Sequence, residues 1–560
     1  MTATAKGAYK DPILRRFAAA KSRRDRYNAL LSDTYALVLP DADVDGNRTE
    51  GAKNDVELFE GQGARSLDKR RDRMMGQLYP PFTDRLVSFE FQAQPLDSIP
   101  PELRDQAASY LDAAAEVVHD AVTESNFFIE MPQALADVLV STGALLVNPG
   151  DPDIGPPLVF EAIPISSLVP EEGPFGSIET VFLPRSLCRR EVAARWPEAE
   201  KALWAVDGWD SKLRDDPDGK VDVIEAQLFE PHRRAYRYVV YLAEGEHKLI
   251  DRSLSSKAII VFRMSKATGE VMGRGPAITC RADLKTANVT KELTLKNASI
   301  AVTGIWQADD DGVLNPANIE LVPGAIIPKA PGSKGLQPLQ AAADFNVSQI
   351  IQADLNNAVR EAIEGPPMPG YDQDRPVAQA FLTAERERAE VEVPKHTRLF
   401  YELDIPLWTR VVDILTSDQF KGSRWHIPPV FIGSTKDGVK LELKPRAENP
   451  LARIQKQAQW REQIQALTTA IQLFGPEAVA AEVKGANMMR DFLTEAGGIP
   501  PKYLLTAQEK QAAAQQQQAA QQAQMAAMAT GVQGAAAMAG TDTGTAVLRD
   551  VGKMMGGANG

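Results

Sequence analysis

Two helical stretches bracket about forty residues of a different kind, and this arrangement limits the chain more than any other pattern in it. Residues 282–298 contain neither glycine nor proline, and Leu284, Ala287 and Lys291 recur at helical spacing. Further on, Val347, Ile351, Leu355, Val359 and Ile363 stand four apart and make a continuous apolar stripe down one helix face. Between the two lie strand-like runs at residues 300–307 and 313–322, separated by Asp309, Asp310, Asp311 and Gly312. That Asp-Gly step supplies the positive φ of a hairpin turn. A proline- and glycine-rich loop at 328–338 follows. A chain so ordered leaves a body on one helix, turns in a small β unit and returns on the second. The β unit is too small to own a core, so it is expected to gain strands or cover from other chains.

The body reads as α+β. Ile13, Leu14, Phe17 and Ala20 share one helix face, and Arg15, Arg16, Lys21, Arg23, Arg24 and Arg26 fill the rest as a solvated basic face. A helix over 63–78 is stopped by Tyr79, Pro80 and Pro81, and alternation over 86–91 predicts a half-buried strand. Helices follow at 101–123 and 129–141, then a short buried strand at 143–148. Strands dominate 159–261, notably 221–229 and 236–242. A loop of about a dozen residues at 365–376 is long enough to suggest function. Helical pattern resumes at Ala378, which Pro394 and Pro406 must kink or break. A strand pair near Val430 and 439–443 precedes two helices, 451–474 and 476–496. After Tyr503 no aromatic residue occurs; 504–530 is dominated by alanine and glutamine, opened by a capping box at Thr506 and Glu509, and 531–560 reads as flexible. Such a helix has little to bury in a monomer, so it frays or packs against copies of itself.

Several chemistries are excluded. With 62 basic against 75 acidic residues the formal charge is −13, which argues against a surface that grips nucleic acid along its whole extent. The phosphate-cradling G-x-x-x-x-G-K-[ST] of an ATP-driven motor is missing, and the glycines at 61, 63, 269, 273 and 275 do not complete a nucleotide loop. The five histidines never stand as H-x-x-x-H, and Cys188 and Cys280 form neither a disulfide framework nor a four-cysteine metal site, which fits a reducing compartment. Asp41, Asp43, Asp45 and Gly46 begin a calcium loop, but Ala52 stands where the bidentate glutamate belongs, leaving an acidic turn. Residues 1–20 lack the apolar run of a secretory signal, and no apolar run of 18 residues follows. No catalytic, cofactor or metal site and no membrane span are expected.

The order of segments carries a resemblance. Its landmarks are YALVLP at 35–40, GARSLDKRRDRMMGQLYP at 63–80, FIEMPQALADVLVSTGALLVN at 128–148, the glycines at 269–275 before the first long helix, LTAE at 382–385, ELDIPLWTRVVDIL at 402–415 and GIPPKYLLTAQEK at 498–510. In this order and on this length the chain resembles the portal, or head-to-tail connector, proteins of short-tailed double-stranded DNA bacteriophages. The resemblance implies a multi-part subunit that closes, usually in twelve copies, into a ring with a central channel. It implies a wing at 1–277, stem helices at 278–299 and 343–364, a clip at 300–342, a channel loop at 365–376, a return to the wing at 377–446, crown helices at 447–509 and a tail at 510–560. Double-stranded DNA would pass without sequence specificity during packaging and ejection. An acidic conduit suits such sliding, because phosphate contacts from lysine and arginine would hold the cargo.

On the same resemblance Pro367, Met368, Tyr371, Asp372 and Asp374 belong to the channel loop. Asp344, Asp354, Arg360, Glu361 and Glu364 face the lumen or neighbouring stems. Asp309, Asp310, Asp311 and Gly312 form the clip tip. The implied partners are the terminase large subunit, tail adaptor proteins, major capsid and scaffolding proteins and internal core proteins, at the portal vertex of a virion assembled in the host cytoplasm. The rival reading is another virion structural protein, a tail or internal core component without a DNA channel; a hydrolytic enzyme ranks below both.

Overall fold

Asp11 starts the first helix, its side chain accepting the Ile13 amide at 2.7 Å, and Pro12 stands where a missing amide costs no hydrogen bond. This helix, α1 (Pro12–Asp25), is followed by α2 (Asn28–Val38), α3 (Gln62–Leu78), β1 (Val87–Phe91), α4 (Pro101–Thr123), α5 (Phe127–Val140), β2 (Thr142–Pro149) and β3 (Leu158–Ala162). Next come β4 (Val169–Glu172), β5 (Ile178–Cys188), the short helices α6 (Arg189–Arg195), α7 (Glu200–Trp204) and α8 (Trp209–Asp215), then β6 (Lys220–Glu230), β7 (Ala235–Leu242), β8 (His247–Leu254) and β9 (Ile259–Arg263). The long segments are α9 (Pro276–Thr279), α10 (Arg281–Thr303), β10 (Trp306–Gln307), β11 (Gln337–Pro338), α11 (Phe345–Glu364) and α12 (Ile405–Leu415). The chain continues with β12 (Phe431–Ile432), β13 (Val439–Lys440), β14 (Leu443–Ala447), α13 (Pro450–Phe474) and α14 (Pro476–Glu482).

The computed structural model describes residues 9–46, 58–81, 86–91, 101–151, 153–303, 306–307, 337–338, 345–365, 397–428, 431–432, 439–440, 443–447 and 450–483, with single positions from 485 to 522. Two units divide the chain. One comprises Met1–Gln92 and Ala114–Gln455, the other Ala93–Ala113 and Lys456–Gly560.

In the first unit the expected mixture of helix and sheet is present. A five-stranded antiparallel sheet runs β4-β5-β6-β7-β8, and Leu14, Phe17 and Ala20 of α1 bury against its Phe182, Ile224, Val239 and Tyr241. The i, i+3, i+6 spacing read from the sequence is this contact. A second sheet, β3-β2-β9, puts β2 in the middle. Residues 142–147 of β2 are buried without alternation, because α5 and α12 both pack on that strand. Gly143 permits the approach of α5: a Cβ there would meet the Ala134 carbonyl oxygen at 2.4 Å and the Phe262 ring at 2.6 Å. A third, two-stranded sheet pairs β1 with β14, Val87 opposite Ala447 and Phe91 opposite Leu443. In the second unit the rings of Trp460 and Phe492 pack edge to face, 5.6 Å between centroids.

Some local expectations give way. Arg24, assigned to the solvated face of α1, is only 5% exposed, and its guanidinium donates to the Val44 and Ile165 carbonyls at 3.1 and 2.7 Å. Four residues after Ala20, Arg24 continues the buried face of α1. The helix α10 runs on through Thr303, so residues 300–303, expected to be strand, are helical; Ala301 and the β-branched Ile300 and Val302 suit either state, and no glycine or proline interrupts them. What remains of that strand, β10, pairs with β11.

Pro406 does not break its helix. It occupies the first turn of α12, and the preceding Phe400–Asp404 widens into a π turn that absorbs the missing amide. The helix expected over 476–496 is interrupted after Glu482, where Val483 is extended and the Gly485 amide turns back to the Val483 carbonyl at 2.8 Å, and Gly485, Met488 and Met489 are helical again.

Candidate assembly site

The helices α10 and α11 pack on each other, and α11 also packs on α3. Leu284 and Ala287 of α10 and Val359 and Ile363 of α11 are buried there. Gly63, at the start of α3, makes room: a Cβ would meet the Leu284 side chain at 2.6 Å, the Val38 side chain at 3.1 Å and the Leu37 carbonyl oxygen at 3.2 Å. Polar contacts fix the register. The Asn288 side-chain oxygen accepts the amides of Phe59 and Glu60 at 2.7 and 3.1 Å, and Gln352 donates to Glu60 at 2.9 Å. Lys285 and Arg281 reach Asp33 of α2 at 2.5 and 3.6 Å.

At the far end of α11, Ser66 donates to the Glu364 carboxylate at 2.9 Å, Lys69 stands 3.9 Å away, and Arg73 donates to the Glu364 carbonyl at 2.8 Å. A cation here meets the negative end of the helix dipole. Glu364 is therefore engaged with α3. Asp354, Arg360 and Glu361 are exposed on α11, Arg360 touching Asn357 at 3.4 Å. Asp344 lies outside the described residues, as do the loop residues Pro367, Met368, Tyr371, Asp372 and Asp374 and the tip residues Asp309, Asp310, Asp311 and Gly312.

The aliphatic stripe of α11 is buried in part. Val359 and Ile363 are inside, Leu355 is half-buried and Ile351 is exposed. Ile350 of α11 is 69% exposed, while on α10 Val289 and Leu293, four apart, are 51% and 55% exposed, with Leu295 beside them in sequence. Leaving such side chains in water forgoes about 1.5 kcal/mol or more each. A row of them on long helices is the usual mark of a surface that another chain covers.

Behind the helices, three buried polar connections hold the body together, and the sequence reading did not pick out any of them. Arg263 is 0% exposed at the end of β9. It donates to Glu402 at 2.8 Å, to Glu172 at 2.7 Å and to the Val271 and Gly176 carbonyls at 2.9 and 3.1 Å. Burial pulls its guanidinium pKa down, but the Glu402 and Glu172 carboxylates outweigh that and leave it raised. Burial likewise pushes Glu172 up, and hydrogen bonds from Lys266 and Arg263 carry it below the usual carboxylate range. Glu402 sits in the π turn, so the irregular backbone and the buried cation are one construction. A charge inside the otherwise apolar run IIVFR was the available signal.

The other two connections join tyrosine to aspartate. Tyr35 of α2 donates to Asp137 of α5 at 2.9 Å, and Tyr79, just past α3, donates to Asp404. Burial pushes both carboxyls up to about 7, the tyrosine hydrogen bonds working the other way. Tyr79 also lies edge-on to Phe127 and Trp408, at 5.2 and 6.2 Å between centroids.

Elsewhere, Asp43 accepts the amides of Asp45 and Gly46 at 3.1 and 2.9 Å, closing the acidic turn on itself. Burial, aided by Asp283, pushes the Cys280 thiol up to about 12, away from reactivity. Among the described residues no helix is long and apolar enough to cross a membrane.

A family model described as bacteriophage head to tail connecting protein matches residues 10–505. Among solved structures, a chain from the neck of an empty gene transfer agent (GTA) particle computed with C6 symmetry aligns at 15% identity and a TM-score of 0.30, over 78% of this chain and 97% of that one. A chain from the virion of a native GTA particle aligns at 14% identity and a TM-score of 0.28, over 79% and 96%. No curated protein matches.

Proposed function

The chain belongs to the family of bacteriophage head to tail connecting proteins, and from that premise we propose that it is the portal subunit of a short-tailed phage. The family is one of structural virion components, placed at the junction of head and tail. In the proposed role, copies of the chain close into a ring, usually of twelve, through which double-stranded DNA enters during packaging and leaves during ejection. The observation that carries the ring is the exposed aliphatic row on α10 and α11, with Val289, Leu293 and Ile350 left for a neighbouring stem to cover. Asp354 and Glu361 then line the lumen or a stem-to-stem contact, and the net charge of −13 keeps the conduit from holding its cargo. The segment at 300–342 would dock the terminase large subunit and later the tail adaptors, and the loop at 365–376 would project toward the axis.

Twelve copies of 61.0 kDa give roughly 730 kDa. Negative-stain images of the purified protein should therefore contain rings with a central hole, and native mass spectrometry should find that mass. Monomers alone at micromolar concentration would refute the proposal. Replacing Leu293 with Asp should shift the population from ring to monomer while the melting temperature of the isolated subunit stays within about 1–2 °C, since the side chain is exposed there. Intact rings from that variant would remove the row from the interface.

A further inference from the structure

In the second unit, the last half of α13 carries an apolar surface that the subunit leaves open. From Arg461 to Phe474 no residue is buried, and Ile464, Ile471, Leu473 and Phe474 are 40%, 40%, 71% and 72% exposed. No charged residue stands between Glu462 and Glu477. A helix meant for water carries charge on its outer face, so this stretch is not built for solvent all round. Its apolar residues form two neighbouring stripes. Ile464, Leu467, Ile471 and Phe474 follow the alternating three- and four-residue steps of a coiled-coil seam. Ala466, Ala470 and Leu473 follow the same steps about a third of a turn away, with small side chains in place of large ones. Gln465, Thr468, Thr469 and Gln472 take the remaining side. The two threonine hydroxyls donate to the Ile464 and Gln465 carbonyls at 2.8 Å.

The composition of both stripes selects the occupant. Without charge from 463 to 476, the surface offers nothing to a partner recruited by ion pairs. The seam repeats every three and a half residues, so what covers it is another helix. The chain's own tail is a poor match: between Leu505 and Met525 its only apolar residue type is alanine, which has no large side chain to set against the small stripe. A second α13 supplies both halves, large side chains on one stripe and room for them on the other. Unlike patches that match on identical chains make the head-to-tail contact that propagates round a cyclic assembly. We infer that the Ile464–Phe474 seam of one copy packs on the Ala466–Leu473 stripe of α13 in the next copy. The inference rests on the reading of the chain as a ring subunit, and it adds an apolar contact separate from the row on α10 and α11.

Hydrogen exchange on the full-length protein, read at concentrations that span its assembly, tests the contact. Amides of residues 463–474 should exchange about tenfold or more slowly in the assembled sample than in the dilute one. Ile471→Asp on the seam and Ala470→Asp on the small stripe should each abolish that difference. Gln465→Asp, which puts the same carboxylate on the polar side of the same helix, should leave it unchanged. None of the three positions is buried in the subunit, so all three variants should melt like the parent. Rings whose 463–474 amides exchange no more slowly than those of the dilute protein, or an Ile471→Asp variant that keeps the slowing, overturn the contact and leave the ring reading standing. Slowed exchange in assemblies that native mass spectrometry shows to be open or dimeric overturns the ring and supports the contact between copies. An exchange pattern that never changes with concentration overturns both.

Discussion

Several residues within the sequence landmarks are, in this chain, internal fasteners. Tyr35 of YALVLP bonds Asp137 of the segment 128–148, Tyr79 beside Pro80 bonds Asp404, and Glu402 of ELDIPLW holds Arg263. Two of them make stability depend on pH with a definite sign. Asp137 and Asp404 have folded-state values of about 7 against an ordinary 3.8, so folded chains keep protons that unfolded chains release. Their contribution is complete below about pH 4 and is lost as pH rises to about 7, by at most about 4 kcal/mol per carboxyl. The melting advantage of the parent over Asp404→Asn should accordingly be largest near pH 4.5 and small by pH 7.5. An advantage independent of pH would show that the carboxyl does not titrate there. Arg263 answers to a different test. Replacing it by Met removes the cation that Glu402 and Glu172 share, leaving them Arg398 and Lys266, and should cost about 3 kcal/mol. Adding Glu402→Gln should restore part of that loss, as chemical denaturation of the single and double variants would reveal.

Among the elements, α3 packs on α11, and two of its glycines behave oppositely. Gly63→Ala drives a methyl into Leu284, Val38 and the Leu37 carbonyl and should cost about 1–3 kcal/mol. Gly76→Ala, with no atom within 4 Å of the new methyl, should stabilise by about 0.5–1 kcal/mol through helix propensity. Equal effects in a melting experiment would contradict the close approach of Gly63 to Leu284. Element legibility followed the strength of the periodic signal. The four-residue stripe gave α11, and the run 282–298 free of glycine and proline gave most of α10. Periodicity failed where a tertiary partner chose the state. Residues 300–303 joined a helix because nothing stopped it, and Pro406 was accommodated by a π turn that no local pattern announces. At the candidate site the sequence reading gave Asp354, Arg360, Glu361 and Glu364 one common face toward a lumen or a neighbour; the first three are exposed, whereas Glu364 is tied to Ser66 and Arg73, nearly three hundred residues away, which no local pattern announces.

For the whole molecule the informative feature is the pairing of β1 with β14, which joins Val87–Phe91 to Leu443–Ala447. A chain ending before residue 443 should lose amide protection over 87–91 while the sheet under α1 stays protected in hydrogen exchange, since β4 to β8 need nothing from the later strand. Loss of protection in both places would mean the two form one cooperative unit. The same pairing sets a clock on synthesis. A strand made early must wait for some 350 more residues, which at about 5–20 residues per second is roughly 20–70 s of exposed edge on every nascent subunit. During that interval the chain has an open ladder but no finished body. Completion of this sheet is thereby timed by the ribosome, with the strand made last as the piece that closes it.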